Sequence, residues 1–197
     1  MMTDFVKLTA TLEGLGYTVH TFDSAAQACD YLDRRIDGTT VGFGGSMTLK
    51  DMGLYPKLAA HNKVYWHWAG NFPKDAADTD VYISSANALA ETGELINIDG
   101  AGNRVSSTIY GHQAVYFVIG ANKIAPDYDA ALWRARNIAA PKNAQRLGKK
   151  TPCAVKGDRC YDCKSPDRIC KALTVLWGKP SGIPTMEIIL VNQDLGM

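Results

Sequence analysis

The sequence lacks any run of about 18 consecutive apolar residues, which is roughly the length that a membrane-spanning helix needs. It also lacks a basic amino-terminal segment followed by an apolar stretch, so we expect no secretory signal and a cytoplasmic protein. The sequence also has no excess of charge of one sign, because it contains 21 Lys and Arg and 20 Asp and Glu. This balance offers no general basic surface for nucleic acid or acidic lipid, and we expect neither nucleic acid nor a membrane as a partner.

Nucleotide-binding loops are also absent. The sequence contains neither a Walker A motif nor a complete G-x-G-x-x-G, so no nucleotide cofactor is evident. Internal repeats and low-complexity tracts are missing as well. We therefore predict one domain over residues 1–197, which includes a cysteine-rich segment at 151–172.

Several strand-like segments are apolar on consecutive positions, which is typical of strands buried on both faces. Helical patterns separate them, including amphipathic stretches after Phe5 and Ser24 and a helix over 127–141 closed by Pro141. The predicted fold class is α/β, a mostly parallel sheet with helices on both faces and a cysteine-rich excursion before the last strand. The predicted strands cover 18–22, 40–44, 63–68, 80–85, 94–99, 114–120 and 186–192.

A glycine and hydroxyl junction follows the strand at 40–44. Gly44 and Gly45 permit unusual backbone angles, and Thr48 with Asp51 fits a capping box for a short helix. Backbone N–H groups at such a junction, together with the hydroxyls of Ser46 and Thr48, would attract phosphate or carboxylate. The plainer alternative is a tight turn in which Thr48 only caps the helix.

A second polar segment spans residues 84–105. Ser84, Ser85 and Asn87 follow a strand at its carboxyl end, where open parallel sheets gather ligands. Glu91 then begins a turn, where its carboxylate could act as base or nucleophile, or could be the solvated end of a short helix. His112 lies in a loop before a strand and is the best of the four histidines for proton transfer, although a surface role is as consistent with its position.

Four of the five cysteines share one segment with the spacing C-x6-C-x2-C-x6-C. Cys153, Cys160, Cys163 and Cys170 could supply four thiolates to tetrahedral zinc or to an iron–sulfur cluster. Free thiols or a redox-sensitive pair are the alternative, and spacing does not separate zinc from iron–sulfur.

The stretches "VGFGGSMTLKDMGLY", "SSANALAETGELINIDGAGNRV" and "VIGANKIAPDYDAALWRARNIAAPKNAQRL" together resemble LUD domain proteins, named for lactate utilisation, and the likeness covers nearly the whole chain. The resemblance implies a fold similar to the phosphosugar isomerase, CoA transferase and formyltetrahydrofolate cyclo-ligase group. It also implies a shared cleft between the glycine loop and the Glu-Thr-Gly turn. The matching positions are Gly44, Gly45, Ser46 and Thr48 in the loop, Glu91, Thr92 and Gly93 in the turn, and Asn103 and Arg104 beyond it.

Better-described relatives implied by this resemblance are subunits of a complex that oxidises L-lactate, with iron–sulfur clusters carried by other chains or regions. The expected ligand is therefore a small anionic metabolite, with iron–sulfur subunits or further copies of the chain as protein partners. The chain departs from those relatives because it lacks a ferredoxin-type cysteine run and carries its own cysteine insert. Two functions stay open: an enzyme or enzyme subunit, which includes isomerase-like or transferase-like chemistry at Glu91, and a non-catalytic accessory or ligand-sensing module.

Overall fold

The structure, a computed structural model, describes residues 5–197 and contains two sheets surrounded by helices. The strands are β1 (Thr18–Phe22), β2 (Thr40–Phe43), β3 (Lys63–Trp66), β4 (Val81–Ser84), β5 (Ala88–Ala90), β6 (Leu95–Asp99), β7 (Ala114–Gly120), β8 (Ile124–Ala125), β9 (Ala172–Leu176) and β10 (Thr185–Val191). The helices are α1 (Val6–Gly14), α2 (Ala25–Arg35), α3 (Met47–Asp51), α4 (Leu54–Ala59), α5 (Pro73–Ala76), α6 (Asn103–Ser107), α7 (Tyr128–Arg134), α8 (Ala140–Arg146) and α9 (Pro152–Lys156).

The larger sheet has six strands in the order β1, β10, β7, β4, β2, β3, and every neighbouring pair is parallel. Alternate residues of β7 enter different cores, because successive side chains of a strand point to opposite faces. Val115 and Phe117 pack with α1 and the second sheet, whereas Tyr116 and Val118 pack with α2 and α4. The predicted α/β class with a mostly parallel sheet and helices on both faces is confirmed.

The smaller sheet has the order β8, β5, β6, β9 and was not predicted. The strand over 94–99 was expected in the parallel sheet, but β6 pairs antiparallel with β5 and β9. The connection explains the difference, since only four residues link β5 to β6 and Ala90 N–H bonds to Glu94 O at 2.9 Å. A parallel neighbour would require a crossover of about a dozen residues or more.

The helix predicted over 127–141 does not end at Pro141. A π-helical turn over Ala135–Ala139 joins α7 directly to α8, which continues to Arg146. Pro141 lies within this continuous helical stretch, where a proline removes one backbone hydrogen bond and its ring crowds the preceding turn. The wider π turn just before it accommodates the proline ring.

The segment that contains the cysteines begins with a helix and ends with a strand, neither of which its composition suggested. It contains α9 and β9, with no helix or strand between them over 157–171. Across residues 5–197, every helix is too short or too polar to traverse a lipid bilayer.

Candidate functional site

The candidate site lies where β2, β4 and β7 end at the same edge of the parallel sheet. Gly45 follows β2, Ser85 follows β4, and Lys123 closes a short 3-10 turn after β7. Carboxyl ends of parallel strands meet at one edge, which is where open α/β sheets form ligand clefts. A small cavity of about 50 Å³, which we call the Lys123 niche, lies at this edge. Its polar lining includes Ser46, Thr48, Ser85, Asn87, Arg104, Lys123, Asn143 and Arg146.

Lys123 is the most unusual residue of the niche because its side chain is only 4% exposed and its two hydrogen-bond acceptors are neutral hydroxyls. Its Nζ donates to Thr48 Oγ1 at 2.7 Å and to Ser85 Oγ at 2.9 Å. Burial, with the positive charges of Arg134 and Arg104 adding to it and Asp51 opposing it, lowers the pKa of Lys123 to about 7. A large fraction of this amine is therefore neutral near physiological pH.

The glycine junction packs closely against the end of β4. A Cβ on Gly44 would lie 2.7 Å from Ser84 Oγ and 3.0 Å from Tyr82 Oη, so a side chain has no room there. Ser46 rather than Thr48 is the cap of α3, because Ser46 Oγ accepts a hydrogen bond from Leu49 N. The capping role predicted for Thr48 is therefore wrong, and its hydroxyl instead contacts Lys123.

Arg104 enters the niche from α6. Gly102 begins that helix with a left-handed φ of 89°, which favours glycine. The Asp99 carboxylate accepts hydrogen bonds from the N–H groups of Gly100 and Arg104, and Arg104 Nη2 donates to Ile98 O at 2.6 Å. These bonds hold the guanidinium at the wall of the cavity, and Asn103 lies beside it.

A larger cavity of about 500 Å³, the basic chamber, adjoins the niche and shares Gly45, Trp68, Asn87 and Arg104 with it. Arg146 stacks over Trp68 with its guanidinium carbon 5.2 Å from the ring centre. The two carboxylates of the lining, those of Asp99 and Asp167, accept hydrogen bonds from neighbouring backbone N–H groups. The cationic side chains of the lining are those of Arg104, Arg146, Lys149, Arg168 and Lys171.

The turn formed by Glu91, Thr92 and Gly93 does not meet the glycine loop. Glu91 is exposed, and a Cβ on Gly93 would contact Leu15 and Thr11 of the helix α1 region. Asn87 reaches the niche at the other end of β5. The three residues of β5 lie between Asn87 and Glu91, and four steps along a strand span roughly 13 Å. The expected shared cleft is corrected: the turn lies at the far end of the β5–β6 hairpin.

His112 also lies away from both cavities, at the amino end of β7. It is 1% exposed, its Nδ1 donates to Thr79 O at 2.6 Å, and its ring stacks on Tyr82. Burial lowers the pKa of His112 despite the nearby backbone oxygen and the carboxylates of Asp78 and Asp80. The proton-transfer role considered for His112 therefore has no substrate cavity beside it, and its visible contacts are structural.

The four clustered cysteines are not gathered into a metal site. Cys160 Sγ accepts the N–H of Asp162, Cys153 contacts Thr151, and Cys170 lies beside Arg168. Among residues 5–197, no set of three or more His, Cys, Asp or Glu side chains is arranged to hold a metal ion. The thiols as placed do not fit zinc or an iron–sulfur cluster, and the metal stays a prediction from spacing.

The residues that the structure brings together are Gly45, Ser46, Thr48, Asn87, Asn103 and Arg104, with Gly44 directly behind the loop. Lys123 and Arg146 were not selected from the sequence. The signal for Lys123 was its place three residues beyond the buried strand β7, where a charged side chain must reach either solvent or a cleft. For Arg146 there was no such signal, because the expected helix ended before it.

The fold defines an α/β protein whose polar cavities open at the carboxyl ends of a parallel sheet. The sequence profile of the LUD domain family matches residues 6–191, and the chain belongs to the LUD domain family. Among solved structures, a DUF162 family protein from Deinococcus radiodurans is similar, with a TM-score of 0.55, 13% identity and 94% of each chain covered. This likeness supports the fold alone, and comparison with curated proteins gives no significant match.

Proposed function

We propose that the protein binds a small organic anion in the basic chamber, with its charged group directed toward the Lys123 niche. The observation that carries this proposal is the composition of the chamber wall, where five cationic side chains face two carboxylates. Asp99 pairs with Arg104 and Asp167 with Lys149, so three of the five cations have no carboxylate partner in the lining, namely Arg146, Arg168 and Lys171. A concave, predominantly cationic wall raises the local concentration of anions.

The chemical context is the utilisation of lactate or a related small organic acid. Membership of the LUD domain family supports this context, since the family is named for lactate utilisation. The chamber is large enough for a metabolite of this size, and Asn87 and Asn103 add amide groups to its cationic lining. Ser46 adds a hydroxyl group to the lining of the niche. Iron–sulfur subunits as partners, and a redox centre within this chain, remain proposals without support from the contacts described above.

Isothermal titration calorimetry tests the proposal with L-lactate, pyruvate, inorganic phosphate and a sugar phosphate as separate probes. At least one probe should bind, with an affinity that falls as salt is raised because the attraction is electrostatic. Arg146→Gln should weaken binding, since this guanidinium lines both cavities. Arg34→Gln is the matched control, because Arg34 is exposed on α2 outside both linings.

Two outcomes would contradict the proposal: no probe binds at low salt, or Arg146→Gln and Arg34→Gln behave alike. Glu91→Gln adds a sharper check on the corrected site. Because Glu91 is exposed at the far end of its hairpin, this change should leave the affinity for the bound probe unchanged.

A ligand-sensing module is the second candidate function. It is favoured by the position of Glu91 and His112, the two residues expected to perform acid–base chemistry, outside both cavities. In that case the anion binds but L-lactate is not converted, even with an artificial electron acceptor supplied. Conversion that Lys123→Met abolishes and Glu91→Gln preserves would instead establish an enzyme that uses this niche.

A further inference from the structure

The geometry points to Lys123 as a nucleophilic amine that forms a Schiff base with a 2-oxo acid bound in the Lys123 niche. This inference rests on the proposed function, because the basic chamber delivers the anion. It goes further by naming the carbonyl group of the ligand and the atom that attacks it. The reacting atoms are Lys123 Nζ and the carbonyl carbon next to the ligand carboxylate.

The first argument is the placement of the amine. Lys123 Nζ is held between Thr48 Oγ1 and Ser85 Oγ at 2.7 and 2.9 Å, so its position is fixed by one residue of α3 and one residue of the loop after β4. An ammonium group has three donors and no acceptor, whereas a neutral amine has a lone pair available for attack. Two hydroxyl partners leave one remaining direction at nitrogen, and Lys123 lines the niche.

The second argument is the absence of a carboxylate partner. No ion pair within residues 5–197 includes Lys123. The positive charges of Arg134 and Arg104 oppose its protonation, and the negative charge of Asp51 favours it more weakly. A buried lysine without a counter-ion is the arrangement in which an amine is neutral and nucleophilic near pH 7. An ordinary surface lysine is protonated under the same conditions.

The third argument concerns the ligand. The niche is only about 50 Å³ and contains both the amine and the guanidinium of Arg104. A carbonyl carbon at Lys123 and an anionic group at Arg104 must therefore lie close together in the same molecule. A 2-oxo acid has these two groups on adjacent carbons, and any longer substituent can extend into the basic chamber.

The chemistry needs no oxidant or reductant. The neutral amine attacks the carbonyl carbon, the carbonyl oxygen takes up a proton that the nitrogen releases, and a carbinolamine results. Loss of water, with the second nitrogen proton, gives the imine C=N bond. Amine and carbonyl compound are thus converted to imine and water, and hydrolysis reverses the step.

Reductive trapping tests the inference. The protein is incubated with pyruvate and sodium cyanoborohydride, and peptide mass spectrometry locates the reduced adduct. Lys123 should carry more than about tenfold the adduct found at Lys57, because Lys57 is exposed and bonded to Asp30 and so stays protonated. Labelling at Lys123 should rise between about pH 6 and about pH 8, as the neutral fraction of an amine with a pKa near 7 does.

Parallel probes separate the contributions of the two ligand groups. Acetaldehyde has the carbonyl without the carboxylate and should label Lys123 far less than pyruvate does, and L-lactate has no carbonyl and should not label it. Lys123→Arg removes the amine and should give no adduct at this position, whereas in Lys57→Arg position 123 should be labelled as in the unchanged protein. Equal labelling by acetaldehyde and pyruvate would overturn the 2-oxo acid as ligand class.

The unchanged protein is sufficient for the decisive measurement, so a poorly folded variant does not obscure the result. If pyruvate binds by calorimetry but Lys123 is labelled no more than Lys57, the Schiff-base inference is wrong and the anion site stands. If no anion binds at all, the proposed function itself is wrong.

Discussion

Lys123 Nζ lies 2.9 Å from Ser85 Oγ, and this hydrogen bond joins the turn after β7 to the end of β4 inside the protein. The amine is held at a place where its charged form is poorly solvated. This relationship has a consequence for stability as well as for chemistry.

Stability should increase with pH between about 7 and about 10 because of Lys123. In the unfolded chain its pKa is near the ordinary value, so the unfolded state holds a proton that the folded state has lost over this range. The state that binds more protons is disfavoured as pH rises, and here it is the unfolded state. The slope from this one group is at most about 1.4 kcal/mol per pH unit. Urea denaturation at several pH values measures it.

Lys123→Met should remove that slope while filling a similar volume. The comparison is the difference in the free energy of unfolding between the two proteins, followed across the same pH range. A difference that does not change with pH would show that the folded protein keeps Lys123 protonated.

His112 should make the folded state less stable as the pH falls. Burial lowers its pKa, so as pH falls below about 6.5 the unfolded chain takes up a proton that the folded chain resists, and stability is lost. His112→Phe retains a ring against Tyr82 and should reduce this loss, although it also removes the bond to Thr79 O. Denaturation curves at about pH 7 and about pH 5 give the measurement.

His61 provides a control, because its contribution to stability changes with pH in the opposite direction to that of His112. Hydrogen bonds from its ring to Asp33 and Asp37 raise its pKa, so it contributes stability below about 6.5 that disappears as pH rises through its folded-state pKa. His61→Gln should therefore increase the loss of stability on the acid side, where His112→Phe reduces it. Matching behaviour of the two variants would contradict the assignment of His112.

Gly44→Ala should destabilise the protein by about 1–3 kcal/mol, as overpacking of a filled interior does. The new methyl group would lie within 3.0 Å of both Ser84 Oγ and Tyr82 Oη, two buried groups. Gly14→Ala is the matched control, because a Cβ there meets nothing within 4 Å. That second change should be neutral or slightly stabilising in α1, and thermal unfolding compares the pair. Equal effects would show that the loop has room that the structure does not indicate.

A thiol titration tests whether the cysteines of this segment are free. Cys153, Cys160, Cys163 and Cys170 are partly exposed and Cys29 is buried, so four thiols should react with a chromogenic reagent before denaturation and the fifth only after it. Metal analysis of anaerobically purified protein accompanies the measurement. Protected thiols with stoichiometric zinc or iron would show that these loops rearrange around a metal, as the spacing predicts.

The parallel sheet could be predicted because local sequence determines its strands. β1 and β7 have the predicted bounds. β7 is an unbroken apolar run that is buried on both faces, whereas β1 is an edge strand that was predicted from its β-branched and aromatic residues. β6 was predicted as a strand but placed in the wrong sheet, because the composition of a strand does not specify which sheet it joins. β9 was missed although its own sequence, ALTVL, is typical of a strand, because the residues around it are dominated by charged residues, cysteine and proline.

The sequence predicted only the part of the site that lies beside the glycine loop and the ends of the strands. Gly45, Ser46, Asn87 and Arg104 follow strands or accompany glycines, and these local signals predict a cleft. Lys123 gave a weaker signal, because its burial depends on three loops that are distant in sequence. The placement of Glu91 failed because a turn motif does not say at which end of a hairpin the ligand lies.

The π-helical turn between α7 and α8 determines where this helix can change in length. One residue adds about 100° of rotation to an α-helix, and a π turn contains one more residue than an α turn. Deleting a single residue from Ala135–Ala139 would thus leave an ordinary α turn, with α8 near its present rotation. Deleting Lys142 from α8 would instead turn Asn143 and Arg146 by nearly a third of a revolution and carry them off the cavity wall, so the protein would keep a helix there while losing one side of its ligand cavity.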